Sequence, residues 1–529
     1  MPTAEPETDA NASNAVVDAA PDTVEEPRAR WDRIDTGLIV IAALCTVYVH
    51  PVHAMLSHSY WLDEAWVAIL TRVPWSRVPS VSLTTPLGVA ALFRLVPGSG
   101  LQRARLVVLT FSVLTVVMAY VFARTLSWSS AGRARVAAVA AAVVVMLAPL
   151  SLVRNDLKQY TCDAFCALVV LTVAGMLDRS PTRPGWWLTV TILAVIPFSS
   201  TSAFVAVAAF AGLLASALLA RNRRRAIEFV VNGGITGVLI AAYYGAVIIP
   251  HTTQRLRDYW NGYYLAGSPL HMLRVSWHRL FALSHSYGIP ALLLIALVFA
   301  GLVSLGHLRE FAIVIAVVVL WIEMVLVARA RRYPFLDLRT SHFLLVITLA
   351  VAGLGAAALI ELAYRWWRPL GAIVAVVALA FFVGNTRHKI DKLGIPSEPA
   401  REQTAYVAAH HGPNDVVLVN SSGTYGFAYY WPDGVKTRSD SSVGPGYRAE
   451  AKNLDAIYAP DRTDAAVLDA LRQAVDRWRA EPAGSRLFIV RSHLTPAEIR
   501  AWKHAFDELG LHPPKQRSDS PTPIVLGPS

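Results

Sequence analysis

The sequence predicts a polytopic α-helical membrane protein of about eleven transmembrane helices with a small C-terminal α/β domain outside the membrane. Three observations carry that prediction. Of 529 residues, 54% are hydrophobic and only 16% charged, and the mean hydropathy is +0.43, which excludes an ordinary soluble protein. Apolar stretches recur near the ~20-residue length a bilayer requires, divided by loops that carry clustered arginines. From about residue 397 the composition turns polar, and strand-like and helix-like patterns alternate.

Residues 1–35 form the first unit. They hold acids with Pro, Ala, Asn and Thr and almost no large apolar side chain before Trp31, so they cannot bury a core and are expected to be a disordered cytoplasmic tail. Their acidic start and late apolar run are unlike a signal peptide. Residues 36–390 form the transmembrane unit, with spans expected at about 37–56, 105–126, 135–153, 160–177, 185–198, 201–220, 226–249, 287–306, 310–328, 341–361 and 369–385. The short stretches 185–198 and 201–220 meet at Pro197 and have basic outer ends, so they read as a hairpin. Residues 391–529 form the third unit. It holds strand-like runs at 416–419 and 487–490, helical patterns at 463–480 and 496–509, and a last apolar run at 524–526, enough for its own core. Its aromatics Tyr425, Phe427, Tyr429, Tyr430 and Trp431 suit either a sugar-facing surface or that core.

Sidedness follows from the arginines of the short loops. Arg133 and Arg135, Arg179 and Arg183, the cluster from Arg221 to Arg225, Arg309, and Arg365 and Arg368 share one face if the N-terminus is cytoplasmic. The net charge of +11 is then a membrane signature, and no nucleic-acid partner is expected. The three cysteines, Cys45, Cys162 and Cys166, lie in apolar segments and read as packing residues. His251, His271, His278 and His285 match no standard metal spacing. No cofactor is expected; a divalent metal is compatible with the chain but not indicated.

On the outward face, Asp63 and Glu64 follow the first span among aromatics. Such a pair suits a catalytic base at a membrane surface, and equally the N-terminus of a short amphipathic helix. Trp61 and Trp66 read as interface anchors. A second outward loop carries Asp156, Lys158 and Tyr160. A third carries Arg329, Arg331, Arg332 and Arg339 against the insertion bias; arginine forks match phosphate oxygens, lipid headgroups, or an ion pair with Asp337. Carboxylates beside cations at a lipid interface suit a displacement in which a hydroxyl is deprotonated and a phosphate departs.

The strings WLDEAW at 61–66, Thr85-Pro86-Leu87-Gly88, RNDLKQYTCDAF at 154–165 and RRYPFLDLRTSHFLL at 331–345, in that order and on one face, resemble the polyprenyl-phosphate-sugar-dependent glycosyltransferases of the C superfamily (GT-C). That group includes protein O-mannosyltransferases and lipid A aminoarabinose transferases. The resemblance spans about 37–440. It departs at Gly88, where an aromatic is common. It implies inverting transfer of one sugar, such as mannose or arabinofuranose, from a polyprenyl phosphate in the plasma membrane to an envelope glycan, lipid or protein acceptor. In that scheme Asp63 is the base, and Glu64, the second member of the catalytic pair, positions the loop or substrate or is itself the base. Lys158, Arg331, Arg332 and Arg339 are the candidates to hold the donor phosphate, with Arg339 and Lys158, each adjoining a span, nearest the headgroup plane. Asp156 and Tyr160 contact substrate, and monophosphate donors of this kind commonly need no catalytic metal.

Two rival readings remain at this stage. A transporter of lipid-linked or small polar substrates draws on the broken pair at Pro197 and on Glu323 within a span. A receptor or scaffold leaves Asp63 and the outward arginines without a shared purpose.

Overall fold

The computed structural model describes residues 31–82, 85–96, 102–147, 156–251, 254–393, 398–517 and 519–527. The expected tail therefore lies almost wholly outside the described residues, as do Thr84, Arg154 and Asn155. Each of the eleven apolar stretches contains a helix. Among the described residues, six helices are long and apolar enough to cross a membrane: Arg105–Arg124, Tyr160–Asp178, Ser202–Leu219, Arg223–Ile248, Phe311–Arg329 and His342–Trp366. A pair bent by 95°, Pro269–Ser286 with Ala291–His307, makes up to seven. Arg33–Val49 stops at 17 residues and Trp186–Val195 at ten, and Ala131–Leu147 runs for 17 to the edge of the described residues.

The hairpin at Pro197 has a physical cause. Pro197 follows immediately on the end of the first helix, and the second helix starts afresh at Ser202. Buried Asp163 lies beside the new start, where the Ser199 and Thr201 hydroxyls stand 3.1 Å apart. Gly88 reaches the same turn, donating its N–H to the Pro197 carbonyl at 2.8 Å. A Cβ there would meet the Phe198 ring at 2.7 Å, which accounts for glycine at a position where the resembling family favours an aromatic.

Helix Arg105–Arg124 is anchored at both ends, about 30 Å apart. Arg124 donates to buried Asp35 at 2.7 Å, and Tyr120 donates to the same carboxylate at 2.8 Å. Asp35 in turn belongs to the capping box that starts helix Arg33–Val49. At that same end Arg179 pairs with Glu310 at 2.7 Å. The loops with Asp63, Asp156 and Arg339 gather at the opposite end.

Between helices, small residues allow close approach. A Cβ on Gly301 would fall on the Val351 carbonyl oxygen, and one on Gly355 would fall on that of Leu297. Gly355→Val is therefore expected to destabilise the bundle by about 1–3 kcal/mol, read as a lower thermal midpoint of the detergent-solubilised protein.

After residue 398 the chain forms strands β1 (Val416–Val419), β2 (Val435–Ser439), β3 (Tyr447–Ala451), β4 (Ile457–Tyr458), β5 (Leu487–Val490) and β6 (Ile524–Leu526). The main sheet has order β4-β1-β5-β6, parallel except for β6, and β2-β3 is a separate antiparallel pair. Alternate residues of β1 and β5 face opposite layers. Val416, Leu418, Leu487 and Ile489 pack under helices Asp464–Ala480 and Pro496–Glu508. Val417, Val419, Phe488 and Val490 pack under Ala400–His410 and Thr424–Tyr430. Phe427 is buried in the second of these cores, and Tyr425 is buried in a cluster shared with the first loop, so of the two readings of the aromatics these two take the core one.

This sheet unit is joined to the first loop. Tyr60 donates its backbone N–H to the Tyr430 hydroxyl at 2.7 Å, and the Tyr447 hydroxyl donates at 2.5 Å to the Trp66 carbonyl. Arg72 donates to the Trp431 carbonyl at 2.9 Å. Tyr60, Ala65, Ala68, Tyr425, Ala428 and Tyr447 share one apolar cluster.

Candidate active site

Helix Leu62–Ala68 starts at Trp61, and its first turn carries Asp63 and Glu64 on different faces. The two acids have different fates. Asp63 is partly exposed, at 23%, and its Oδ2 accepts from Arg339 Nη1 at 2.7 Å. Glu64 is 1% exposed. Its Oε1 accepts from Arg105 Nε at 2.7 Å and from the Leu157 N–H at 2.8 Å, and its Oε2 accepts from Arg105 Nη2. Arg105 also donates to the carbonyls of Met55 and His58 at 2.7 and 2.8 Å. Glu64 is thus a bolt between two loops and a helix. Both of its oxygens are engaged in these hydrogen bonds, an arrangement that suits positioning of the loop that carries Asp63.

Arg339 is presented by a turn ahead of helix His342–Trp366. Asp337 Oδ2 accepts from the backbone N–H groups of Arg339 and Thr340 at 3.2 and 2.9 Å and from the Thr340 hydroxyl at 3.1 Å. Its role is to cap that turn, which disposes of it as an ion-pair partner for the arginine loop. The Tyr333 hydroxyl donates to the Thr340 carbonyl at 2.8 Å from the other side. Arg331 and Arg332 are exposed and among the described residues form no ion pair with the Asp63 group. Helix Phe311–Arg329 ends before them, and Arg331 turns through a left-handed conformation at φ 55°, so they stand apart from the Asp63–Arg339 pair.

Asp156 lies behind the pair, 2% exposed. Its Oδ1 accepts from Trp61 Nε1 at 3.1 Å, and its Oδ2 stands 4.0 Å from Arg339 Nη1 with no hydrogen-bond partner. Burial, reinforced by the charge of Glu64, pushes its carboxyl up to about 7. Lys158 is buried with its ammonium 4.2 Å over the Trp66 ring. Burial pulls it down to about 8, against the opposing pull of Asp63. No carboxylate among the described residues comes within ion-pair distance of it. Tyr160 opens its helix in the same neighbourhood, with Arg339, Asp156 and Asp63 as the charges acting on it. Trp61 and Trp66, expected as interface anchors, are instead parts of this centre. Trp61 lies under Arg339, with the guanidinium 5.9 Å from its ring.

The structure therefore brings together Asp63, Asp156, Lys158, Tyr160 and Arg339. The group pairs an accessible carboxylate with two cations, one lacking an ionic partner. It suits deprotonation of a hydroxyl beside a bound phosphate.

No family model matches the chain, and no curated protein matches it in sequence. Solved structures do. The crystal structure of ArnT from Cupriavidus metallidurans bound to undecaprenyl phosphate aligns over 93% of this chain and 98% of that chain, at a TM-score of 0.54 and 13% identity. The chain has the ArnT fold. The apo ArnT crystal structure aligns over 75% of this chain and 84% of that chain, at 15% identity and a TM-score of 0.48. In this ArnT-like fold the Asp63–Arg339 pair sits where the helical bundle meets the sheet unit.

Proposed function

We propose that the protein is an integral-membrane glycosyltransferase. It moves a single sugar, such as mannose or arabinofuranose, from a polyprenyl phosphate carrier to a hydroxyl of a cell-envelope acceptor. The observation that carries this reading is the partly exposed Asp63 ion-paired to Arg339 beside a buried, ionically unpartnered Lys158. The likeness of fold to a structure holding undecaprenyl phosphate supports it. So do the motifs in the loops that bear these residues.

In this reaction Asp63 takes the acceptor proton as the acceptor oxygen attacks the anomeric carbon. The bond from that carbon to the phosphate oxygen breaks, configuration inverts, and the polyprenyl phosphate leaves with the bonding electrons. Arg339 and Lys158 neutralise the departing phosphate. Asp156 and Trp61 hold Arg339 in line. The loops face the outside of the cytoplasmic membrane, with about eleven spans in the 36–390 unit, and the 391–529 unit is an extracytoplasmic domain over the site.

The test is transfer of labelled sugar by the purified protein in nanodiscs, using polyprenyl phosphate mannose and arabinofuranose with octyl glycoside acceptors. Transfer is expected with one donor; absence of transfer with every donor, or a reporter at residue 400 that reads cytoplasmic, overturns the proposal. The pH profile gives a second check. Phosphate is held by the protonated ammonium of Lys158, which is lost as pH rises through about 8. Donor KM is therefore expected to climb above that pH. In Lys158→Met it should be about tenfold higher at pH 7 and flat to pH 9.

A further inference from the structure

In open parallel α/β sheets, ligands bind in the crevice beyond the carboxyl ends of strands whose following helices pass to opposite faces. The sheet unit has that crevice at β1 and β5. The helix after β1 packs on one layer with Val419 and Val490, and the helix after β5 packs on the other with Leu418 and Ile489. Asn420 stitches the two carboxyl ends together. Its Nδ2 donates to the Ser492 carbonyl and to Glu498 Oε1, both at 2.9 Å, and its Oδ1 accepts from the Gly423 and Ser492 N–H groups at 2.9 and 3.1 Å.

This edge carries polar atoms the fold leaves without partners. Ser422 is 3% exposed and Glu498 1% exposed, yet among the described residues the Ser422 hydroxyl and Glu498 Oε2 have no hydrogen-bond partner. Buried polar groups are normally satisfied. His493 stands beside them in a left-handed conformation, φ 54°, which persists only where surroundings enforce it. Glu398 does so: it accepts from His493 Nδ1 at 2.5 Å and from the Ser492 hydroxyl at 2.9 Å. That contact engages Nδ1 and leaves 31% of the His493 side chain exposed. The His493 ring lies 6.0 Å from the ring of Trp61, the residue that bonds Asp156 and underlies Arg339.

We propose that this carboxyl edge is the acceptor subsite, in which His493 Nε2, the Ser422 hydroxyl and Glu498 Oε2 bind hydroxyl groups of a carbohydrate acceptor whose reacting end extends past Trp61 toward Asp63. The inference rests on the glycosyltransferase reading above. The chemistry selects hydroxyls: the carboxylates of Glu398 and Glu498 repel an anion, whereas a hydroxyl donates to Glu498 and accepts from Ser422. Gly423 lets the backbone approach Asn420 closely, since a Cβ there would collide with the Asn420 amide oxygen.

The test uses full-length protein in nanodiscs and two probes, octyl α-mannopyranoside or octyl α-arabinofuranoside for the acceptor and undecaprenyl phosphate for the donor. At ten times its Kd, an octyl glycoside should slow hydrogen exchange about tenfold in segments 420–424 and 491–494. His493→Ala should abolish this, and His493→Gln should restore part of it. Undecaprenyl phosphate should protect segments 156–160 and 336–342 equally in all three proteins. In transfer assays His493→Ala should raise acceptor KM at least about tenfold with donor KM unchanged. Glycoside protection that is absent, or equal in His493→Ala, overturns the subsite. Failure of undecaprenyl phosphate to protect its segments counts against the donor reading instead, and leaves the glycoside result to be judged separately.

Discussion

Asp63→Asn is expected to lower kcat for sugar transfer by about 10²–10⁴-fold, the usual range for loss of a positioned base, with little change in thermal midpoint. The two expectations separate chemistry from folding. Asp63 and Arg339 are 23% and 20% exposed, so solvent screens their ion pair and its loss costs at most about 1 kcal/mol. Asn keeps the size of the side chain and still accepts from Arg339. It cannot take the acceptor proton. Transfer rates, donor binding and thermal unfolding measured on the same preparation decide the matter: undiminished turnover in Asp63→Asn removes Asp63 as the base.

Arg105→Met is expected to act in the opposite manner, through the fold. Arg105 is fully buried and Glu64 nearly so, and removing one member of a buried pair leaves an uncompensated charge, at about 3–5 kcal/mol. The carbonyls of Met55 and His58 lose donors as well. The helix bearing Asp63 is then no longer tied to helix Arg105–Arg124, and transfer falls together with stability. Glu64→Leu combined with Arg105→Met should recover much of the stability, because no charge is left stranded. A double-mutant cycle on thermal unfolding measures the coupling; additive losses would show that the two side chains do not act as a pair.

The residues of the site were legible to different degrees. Asp63, Asp156, Lys158, Tyr160 and Arg339 could be gathered from sequence because arginine counting put their three loops on one face. Among the loop's arginines, Arg339 stood out only by adjoining a span; its pairing with Asp63, from a turn capped by Asp337, is a tertiary contact with no local signal. Arg105 went unnoticed because an arginine at the head of an apolar helix is ordinary, and its partner is 41 residues away. Trp61 followed the general preference of tryptophan for membrane interfaces, which tertiary packing overrode. In the last unit the strands and helices were readable from their periods of 2 and 3.6. The approach of His493 to Trp61 was not, since no local pattern encodes a contact between opposite ends of a chain.

The hydrogen bonds from the first loop to the sheet unit have a consequence for biosynthesis. Tyr60 and Tyr430 are 370 residues apart, and Trp66 and Tyr447 are 381 apart. At ~5–20 residues per second of translation, the segment bearing Asp63 waits roughly 20–70 s for the tyrosines that hold it. The earliest loop to be synthesised thus completes its contacts among the last. A ribosome that stalls before residue 430 leaves Asp63 and Arg339 made, with the Glu64–Arg105 tie available, but the loop still without its bonds to the sheet unit.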